Sequence, residues 1–261
     1  MPATGRSYVI AGAGVAGMTM ALALAKFGAT VVVLERNEAL QEAGAGLQIS
    51  PNARLALNRL GLDEAIARAS HEPAALDLYP QGANKPLVSM ELGPLMRERF
   101  GAPYAVMHRA DLADVLYKAC RRFANIDLLF GVRNWDVVSH ARGVTIAIDE
   151  ANGQSRTSRA NGFIGADGVH SQTRTQLLDG PSARFGQRVA WRALVPHDLV
   201  SGQIANDRVS VFFGRGFHLV CYPLPHRGQV NLALFTPGHL PESGMQPAPV
   251  RPGPRVAAIL A

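Results

Sequence analysis

The chain has 261 residues, of which 48% are hydrophobic and 18% are charged, so it can bury a sizeable core as one large or two small domains. Its formal net charge of +6 reflects 26 lysine and arginine residues against 20 acidic ones, and no long run of like charges occurs. This dispersed charge excludes a basic nucleic-acid arm and a polybasic membrane patch, and it is compatible with a mild attraction for small anions.

Cysteine and histidine spacing argues against a metal centre. Cys120 and Cys221 lie far apart and form no CxxC pair, and the 8 histidines include no HExxH motif. We therefore expect no bound metal, no disulfide framework and a reducing, cytoplasmic location.

The N-terminal region predicts a strand, a helix and a second strand. Residues 7–11 form a short apolar run, residues 15–27 a helix of small and aliphatic side chains that stops at Gly28, and residues 30–34 a β-branched strand. The uncharged stretch 8–25 is also compatible with a signal peptide or a membrane span, but its glycines make a poor continuous helix. We therefore favour a βαβ unit over an exported or membrane-spanning segment.

The rest of the chain changes from α/β to mostly β. Further helices are predicted over residues 53–60, 63–69 and 111–123. Strands are predicted over residues 126–130, 135–139, 144–148, 162–165, 208–213, 217–222 and 230–235. The fold class predicted is therefore α/β, with a β-rich region in the second half.

A glycine-rich turn lies between the first strand and the first helix. Gly12 permits a tight turn, Gly14 lets the backbone approach a pyrophosphate, and Gly17 allows close packing of the helix on the strand. The phosphates of a dinucleotide are then bound at the positive end of the helix. Glu35, at the end of the next strand, can accept hydrogen bonds from both ribose hydroxyls. This pattern predicts a dinucleotide site but does not by itself separate a nicotinamide dehydrogenase from a flavoprotein.

Four segments together resemble the FAD-dependent aromatic-ring monooxygenases of the salicylate hydroxylase and 3-hydroxybenzoate 6-hydroxylase type. They are the Gly12 to Gly17 turn with Glu35 and Arg36, residues 44–53 (GAGLQISPNA), residues 108–112 (HRADL), and residues 165–171 (GADGVHS) with Arg174. Their order and spacing are similar to the family from residue 8 to about residue 235. The resemblance implies a Rossmann-type FAD-binding domain with a second, mostly β substrate domain, as in p-hydroxybenzoate hydroxylase.

The resemblance also implies roles for further residues in holding FAD. Arg36 and Gln48 lie in the matching segments, and Gln48 replaces the histidine of the 6-hydroxynicotinate hydroxylase type, which favours a phenolic acid over a hydroxypyridine. Arg109 matches the arginine that reaches FAD, where a guanidinium can neutralise phosphate. Asp167 and Gly168 belong to a second fingerprint near the flavin and the nicotinamide donor.

His218 and Tyr222 are the candidate catalytic residues. They stand four positions apart on one predicted strand, so their side chains project from the same face. They resemble the pair that in the 3-hydroxybenzoate hydroxylase type binds the phenol and helps to deprotonate it. A histidine that titrates near neutrality suits this task. Packing of the two side chains within a half-buried strand remains the alternative.

The resemblance divides the chain into five regions. They are residues 1–75 and 104–178 of the FAD-binding domain, the excursion 76–103 into the substrate domain, the β-rich substrate domain 179–236, and a proline-rich tail 237–261 that is expected to be disordered. Family members continue for roughly another third of their length, so the chain is expected to be C-terminally truncated, and exposed strand edges then favour association.

These expectations define one main function and its alternatives. The chain is expected to bind FAD, to use NADH or NADPH and O2, and to hydroxylate a small phenolic aromatic acid by way of a flavin hydroperoxide, without nucleic-acid or membrane partners. A homodimer is left open. The principal alternative is a truncated, inactive fragment that only binds FAD or a nucleotide. A ubiquinone-pathway hydroxylase or another FAD relative also stays open, whereas a nicotinamide dehydrogenase would not explain the Arg109 and Asp167 segments.

Overall fold

The computed structural model describes residues 2–40, 44–200, 202 and 204–238. In this part of the chain the strands are β1 (Ser7–Ala11), β2 (Thr30–Leu34), β3 (Gly46–Ile49), β4 (Ser70–His71), β5 (Ala75–Pro80), β6 (Val88–Glu91), β7 (Ala105–His108), β8 (Ile126–Leu129), β9 (Val132–His140), β10 (Gly143–Glu150), β11 (Ser155–Ala160), β12 (Gly162–Gly165), β13 (Arg188–Pro196), β14 (Arg208–Gly214), β15 (Phe217–Leu224) and β16 (Gln229–Pro237). The α-helices are α1 (Val15–Lys26), α2 (Pro51–Arg59), α3 (Asp63–Ala69), α4 (Gly93–Phe100) and α5 (Arg109–Cys120).

The predicted βαβ unit is confirmed. Strands β1 and β2 have the predicted bounds, and α1 ends at Lys26, one residue before the predicted end. Gly28 has a φ of +93°, a left-handed conformation that ends the helix at little cost only for glycine. The prediction that α1 stops at Gly28 is therefore confirmed.

Several strands were not predicted because their composition hides them. Strand β11 reads SRTSRA and is almost wholly polar, and β13 carries arginines and is largely exposed. Strand β7 has four buried residues followed at once by a helix, so a short apolar run could not be told from a helix start. Helix α5 accordingly begins at Arg109 and ends at Cys120 rather than covering residues 111–123.

The predicted tail falls mostly outside the described residues. Strand β16 continues to Pro237, two residues past the predicted end, where Pro237 pairs with Arg188 of β13. The proline-rich stretch 239–261 lies outside the part of the chain that the structure describes.

The described residues divide into two compact units between which the chain passes several times. Unit 1 comprises the described residues of Met1–Ala43, together with Leu57–Ile66 and Ala110–Arg184. It contains a parallel sheet with strand order β12-β1-β2-β8 and an antiparallel sheet with order β11-β10-β9. The parallel sheet places the carboxyl ends of β1, β2 and β12 side by side, which is where ligands bind in sheets of this kind.

One core cluster of unit 1 joins its two sheets. Val9 and Leu34 of the parallel sheet pack with Val132, Ile146 and Ile148 of the antiparallel sheet, and all five are buried. Burying an aliphatic side chain of this size stabilises the fold by about 1.5–3 kcal/mol. The buried positions Ile146 and Ile148 therefore follow the alternation predicted for the strand over residues 144–148.

Unit 2 comprises Gly44–Ala56, Ala67–Arg109 and the described residues of Phe185–Ala261. Its larger sheet has the order β13-β16-β15-β14-β5-β6, in which only the β14–β5 pair is parallel. Its smaller sheet is antiparallel with the order β3-β7-β4. This confirms the prediction of a mostly β region after about residue 180.

The core of unit 2 is assembled mainly from alternate residues of β15 and β16. Leu219, Cys221, Val230, Leu232 and Leu234 are buried in one cluster. A second cluster combines Tyr222 and Leu224 of β15 with Val106 of β7 and Val209 of β14. Tyr222 is thus a core residue of unit 2, whatever else it does.

Candidate functional site

The glycine turn of unit 1 has the geometry of a tight strand-to-helix connection. Gly12 has a φ of +102° and donates its N–H to the carbonyl oxygen of Leu34 at 2.7 Å. A Cβ on Gly12 would lie 2.8 Å from the backbone carbonyl carbon of Ala166. Only glycine therefore fits there, on both conformational and steric grounds.

Gly17 and Gly14 differ in the space around them. A Cβ on Gly17 would overlap the carbonyl oxygen of Gly12, so the absence of a side chain lets α1 pack on the turn. A Cβ on Gly14 would meet no protein atom within 4 Å, and its φ of −77° is open to any residue. The fold itself thus has no requirement for glycine at position 14, which is the position predicted to face a pyrophosphate.

Glu35 is held at the carboxyl end of β2 by three hydrogen bonds. Its Oε2 accepts the backbone N–H of Ala13 at 3.0 Å, and its Oε1 accepts the backbone N–H of Asn37 at 3.0 Å and its Nδ2 at 2.7 Å. An ionised carboxylate has about four acceptor positions, so roughly one position is left for a ligand hydroxyl. Glu35 therefore ties the glycine turn to β2 in addition to its predicted role. Arg36 beside it is exposed.

The second fingerprint lies beside the glycine turn. Strand β12 pairs with β1 in parallel, and the N–H of Ala166 extends this ladder by donating to Ala11 at 2.8 Å. Asp167 thereby follows the strand end next to Gly12, and Gly168 after it is exposed with a φ of +79°. Unit 1 thus brings together Gly12, Gly17, Glu35 and Asp167.

Asp167 is engaged in its own turn. Its Oδ1 accepts the hydroxyl of Ser171 at 2.7 Å and its Oδ2 the N–H of Thr173 at 2.9 Å. Desolvation is the largest single influence and raises the pKa of Asp167, but the hydrogen bonds from Thr173, Ser171 and its own backbone together outweigh it and lower the pKa. The carboxylate is therefore ionised at neutral pH and stabilises the loop after β12.

In unit 2 the predicted FAD residues Gln48 and Arg109 lie on neighbouring segments. Gln48 is exposed on β3, opposite Val106 of β7. Arg109 is exposed at the start of α5, and its N–H donates to the carbonyl oxygen of Ala45 at 3.1 Å. Both side chains are therefore exposed to a possible ligand from two segments that a backbone hydrogen bond holds together.

His218 and Tyr222 share a strand but have different surroundings. His218 is half-buried and its ring stacks on Phe235, with a centroid separation of 4.5 Å and an interplanar angle of 13°. Tyr222 is 3% exposed, and burial, the largest cause, raises its pKa well above the usual range despite an opposing effect of Arg192. A tyrosine of this kind stays protonated, so it can donate a hydrogen bond but is a poor base.

One polar residue of unit 2 was not among the predicted site residues. Asn231 of β16 is fully buried and lies opposite Tyr222 in the β15–β16 register. The available signal was an asparagine inside the apolar strand QVNLALFTP, where a buried amide requires a hydrogen-bond partner. That partner, the N–H of Gly46, is distant in sequence and could not be identified before the fold was known.

Among residues 2–40, 44–200, 202 and 204–238, no group of three or more histidine, cysteine or acidic side chains is placed to hold a metal ion. Across those residues no helix combines the length and hydropathy that a membrane span needs.

Comparison with known proteins gives consistent matches. Residues 7–194 match the family model described as FAD binding domain. The chain is 32% identical to 3-hydroxybenzoate 6-hydroxylase 1 of Aquipseudomonas alcaligenes, over 87% of this chain and 57% of the relative. It is 32% identical to the 3-amino-4-hydroxybenzoate 2-monooxygenase PtmB3 of Streptomyces platensis, over 95% of this chain and 61% of the relative. The chain thus spans about three fifths of the length of these relatives.

A similar fold occurs in solved structures. Klebsiella pneumoniae HpxO complexed with FAD and uric acid superposes with a TM-score of 0.75 at 23% identity, over 91% of this chain and 58% of that protein. At this identity the match shows the fold alone, and it agrees with the predicted arrangement of a dinucleotide-binding fold with a mostly β second region.

Proposed function

Because this chain belongs to the FAD binding domain family and resembles the aromatic-ring monooxygenases within it, we propose that it forms the FAD-binding and aromatic-acid-binding part of a flavin-dependent hydroxylase. The observation that carries the proposal is the open space at Gly14, which lies at the N-terminus of α1 in a turn where Gly12 and Gly17 are packed against backbone. A helix N-terminus with free space before it favours a bound phosphate.

The residues present fit FAD. Within unit 1, the glycine turn would hold the pyrophosphate, Glu35 would accept a ribose hydroxyl through its remaining acceptor position, and Asp167 with Gly168 would line the second fingerprint. Within unit 2, Arg109 would neutralise phosphate and Gln48 would donate or accept a hydrogen bond. Arg36 is placed beside Glu35 as a further contact.

The proposed second ligand is a small phenolic acid such as a hydroxybenzoate. This class follows from the names of the relatives, 3-hydroxybenzoate 6-hydroxylase and 3-amino-4-hydroxybenzoate 2-monooxygenase, and from the His218 and Tyr222 pair. Bound FAD, reduced by NADH or NADPH, would supply the oxygen chemistry with O2. Tyr222, kept protonated by burial, would donate a hydrogen bond to the phenolic oxygen of the substrate. His218 would accept the proton of the substrate phenol. An ionised phenol is more electron-rich and so reacts more readily with an electrophilic oxygen.

The experiment that tests the proposal is an absorption spectrum of the purified chain with FAD, before and after gel filtration. Flavin absorbance that co-elutes with a folded species, followed by NAD(P)H oxidation and a hydroxylated product with a hydroxybenzoate, would support it. Retained flavin without turnover would instead favour the inactive FAD-binding fragment. A folded species that retains no flavin would contradict both functions, and the elution volume would test the homodimer.

Glu35→Ala is expected to weaken FAD binding in the same assay. Because Glu35 also holds the turn through Ala13, unfolding should be measured in parallel. Arg133→Ala, an exposed position of β9 outside the candidate site, is a control that should leave FAD binding unchanged. Unchanged FAD affinity in Glu35→Ala would remove Glu35 from the site.

A further inference from the structure

Asn231, the third residue of β16, makes a long-range hydrogen bond. Its Oδ1 accepts the backbone N–H of Gly46, the first residue of β3, at 2.7 Å. Asn231 is fully buried, so water does not compete for this hydrogen bond. The contact joins the larger and the smaller sheet of unit 2.

Gly46 is held against Tyr222 at the same point. A Cβ on Gly46 would lie 2.6 Å from Cε2 of Tyr222 and 2.8 Å from Cγ of Asn231. Tyr222 and Asn231 are direct register partners across β15 and β16. The Gly46 backbone, the Tyr222 ring and the Asn231 amide therefore form one packed contact, in which a shift of any member displaces the others.

The segment that starts at Gly44 connects this contact to two predicted FAD residues, Gln48 and Arg109. The carbonyl oxygen of Ala45 accepts the backbone N–H of Arg109 at 3.1 Å, and Gly46 pairs with His108 across β3 and β7. Gln48 follows two residues later on β3. The bond from Asn231 to Gly46 thus lies at the start of β3, which carries Gln48, and next to Ala45, whose carbonyl oxygen accepts the backbone N–H of Arg109.

The other end of the Asn231 amide shows that this position is not optimised for packing alone. Its Nδ2 is buried and has no hydrogen-bond partner among the described residues. A buried donor without an acceptor is destabilising, and a leucine of similar size would avoid that cost. Asn231 therefore brings an unpaired Nδ2 donor into the core, while its Oδ1 acceptor provides the hydrogen bond that holds Gly46.

We propose that Asn231 is a positioning residue that holds Gly46 against Tyr222 and so sets the placement of Gln48, Arg109 and the Tyr222 hydroxyl. This inference rests on the proposed function for its effect on FAD and substrate, and on the structure alone for its effect on Gly46. Asn231 itself is not expected to touch FAD or the reacting atoms.

The test compares three variants of the whole chain. Asn231→Leu removes the acceptor at similar volume, whereas Asn231→Asp keeps an acceptor for the Gly46 N–H and should rescue in part. Asn161→Leu is the control for the loss of an asparagine side-chain acceptor, because it removes a bond from the Ser7 N–H to Oδ1 of Asn161 at an exposed position of unit 1. The readouts are hydrogen exchange of the Gly46 amide, FAD affinity by fluorescence titration, and unfolding by denaturant.

In Asn231→Leu, exchange at Gly46 and the FAD dissociation constant should each rise about tenfold, since the loss of one buried hydrogen bond is of this size. Asn231→Asp should recover much of both, and Asn161→Leu should change neither. Unchanged Gly46 exchange in a folded Asn231→Leu would overturn the proposal, as would faster exchange with wild-type FAD affinity. If the wild-type chain binds no FAD, the proposed function fails separately, and the Gly46 exchange still decides whether Asn231 is the anchor. If Asn231→Leu does not fold, Asn231→Asp must preserve slow Gly46 exchange for the proposal to stand.

Discussion

A contrast between Gly14→Ala and Gly17→Ala separates a glycine needed by the ligand from one needed by the fold. At Gly14 the backbone φ of −77° suits alanine and the new methyl group meets no protein atom within 4 Å. The loss of glycine at an N-cap and the lower entropy of the unfolded chain act in opposite directions, so the free energy of unfolding should change by less than about 1 kcal/mol. The same methyl group would occupy the space proposed for a pyrophosphate.

At Gly17 the balance is different. A helical glycine replaced by alanine gains about 1 kcal/mol of intrinsic helix propensity. Here, however, the new Cβ would overlap the Gly12 carbonyl oxygen and lie 3.1 Å from its carbon, and Ala166 Cβ at 3.5 Å limits movement away from it. Overpacking of this kind costs about 1–3 kcal/mol, and a clash with backbone belongs at the upper end of that range, so a net loss of stability is expected.

The assays are denaturant unfolding without ligand and fluorescence titration with FAD. Gly14→Ala should unfold like the wild type yet bind FAD at least about tenfold more weakly, equivalent to about 1.4 kcal/mol. Gly186→Ala is the control, because a Cβ there also meets no protein atom within 4 Å and lies outside the candidate site. Wild-type FAD affinity in Gly14→Ala would refute the placement of the pyrophosphate, and a loss of stability as large as that of Gly17→Ala would refute the steric argument.

Three further outcomes are expected. Tyr222→Phe should leave FAD affinity unchanged and lower the rate of hydroxylation at least about tenfold through loss of a hydrogen bond to the phenol, measured as product formation; equal turnover would assign Tyr222 to packing alone. Asp167→Ala should lower the free energy of unfolding by about 1–3 kcal/mol, because Ser171 and Thr173 lose their acceptor. The fold lowers the pKa of Asp167 below its ordinary value of 3.8, so the ionised carboxylate stabilises the folded state above pH 3.8, and this stabilisation is lost as pH falls through the folded pKa. Denaturant unfolding between pH 5 and 2.5 should show this loss of stability in the wild type but not in Asp167→Ala. Burial, with a smaller effect of His226, lowers the pKa of His71, so its neutral form is favoured in the fold and stability should fall as pH drops below 6.5; His71→Gln should weaken that dependence.

The βαβ unit could be predicted from the sequence alone, together with the kind of ligand to expect at its turn. Gly12, Gly17 and Glu35 were assigned from a strand, a turn and a helix whose bounds are local properties of the chain, and β1 and β2 have the predicted ends. Glycine-specific conformations are imposed over a few residues, so they can be read without the rest of the fold. The strands β14, β15 and β16 were likewise found from their apolar alternation.

Pairing between distant segments was decided only by the tertiary structure. The polar strand β11 becomes a strand because it pairs with β10, and the largely exposed β13 does so because it pairs with β16. Neither strand has the alternation of apolar residues from which a strand can be predicted. Backbone hydrogen bonds to the neighbouring strand stabilise each of them instead. The sequence also assigned Glu35 to a ribose, whereas the fold shows that three protein donors already occupy most of its acceptor positions.

The chemistry of Tyr222 shows the same division. Its place on a strand with His218, facing the same side, followed from a spacing of four residues. Its burial, the raised pKa that keeps it protonated, and its contact with the Gly46 backbone depend on segments far away in the sequence. Local residues therefore indicate which ligands to expect, while burial and long-range contacts, which no local pattern encodes, decide the protonation state and surroundings of each side chain.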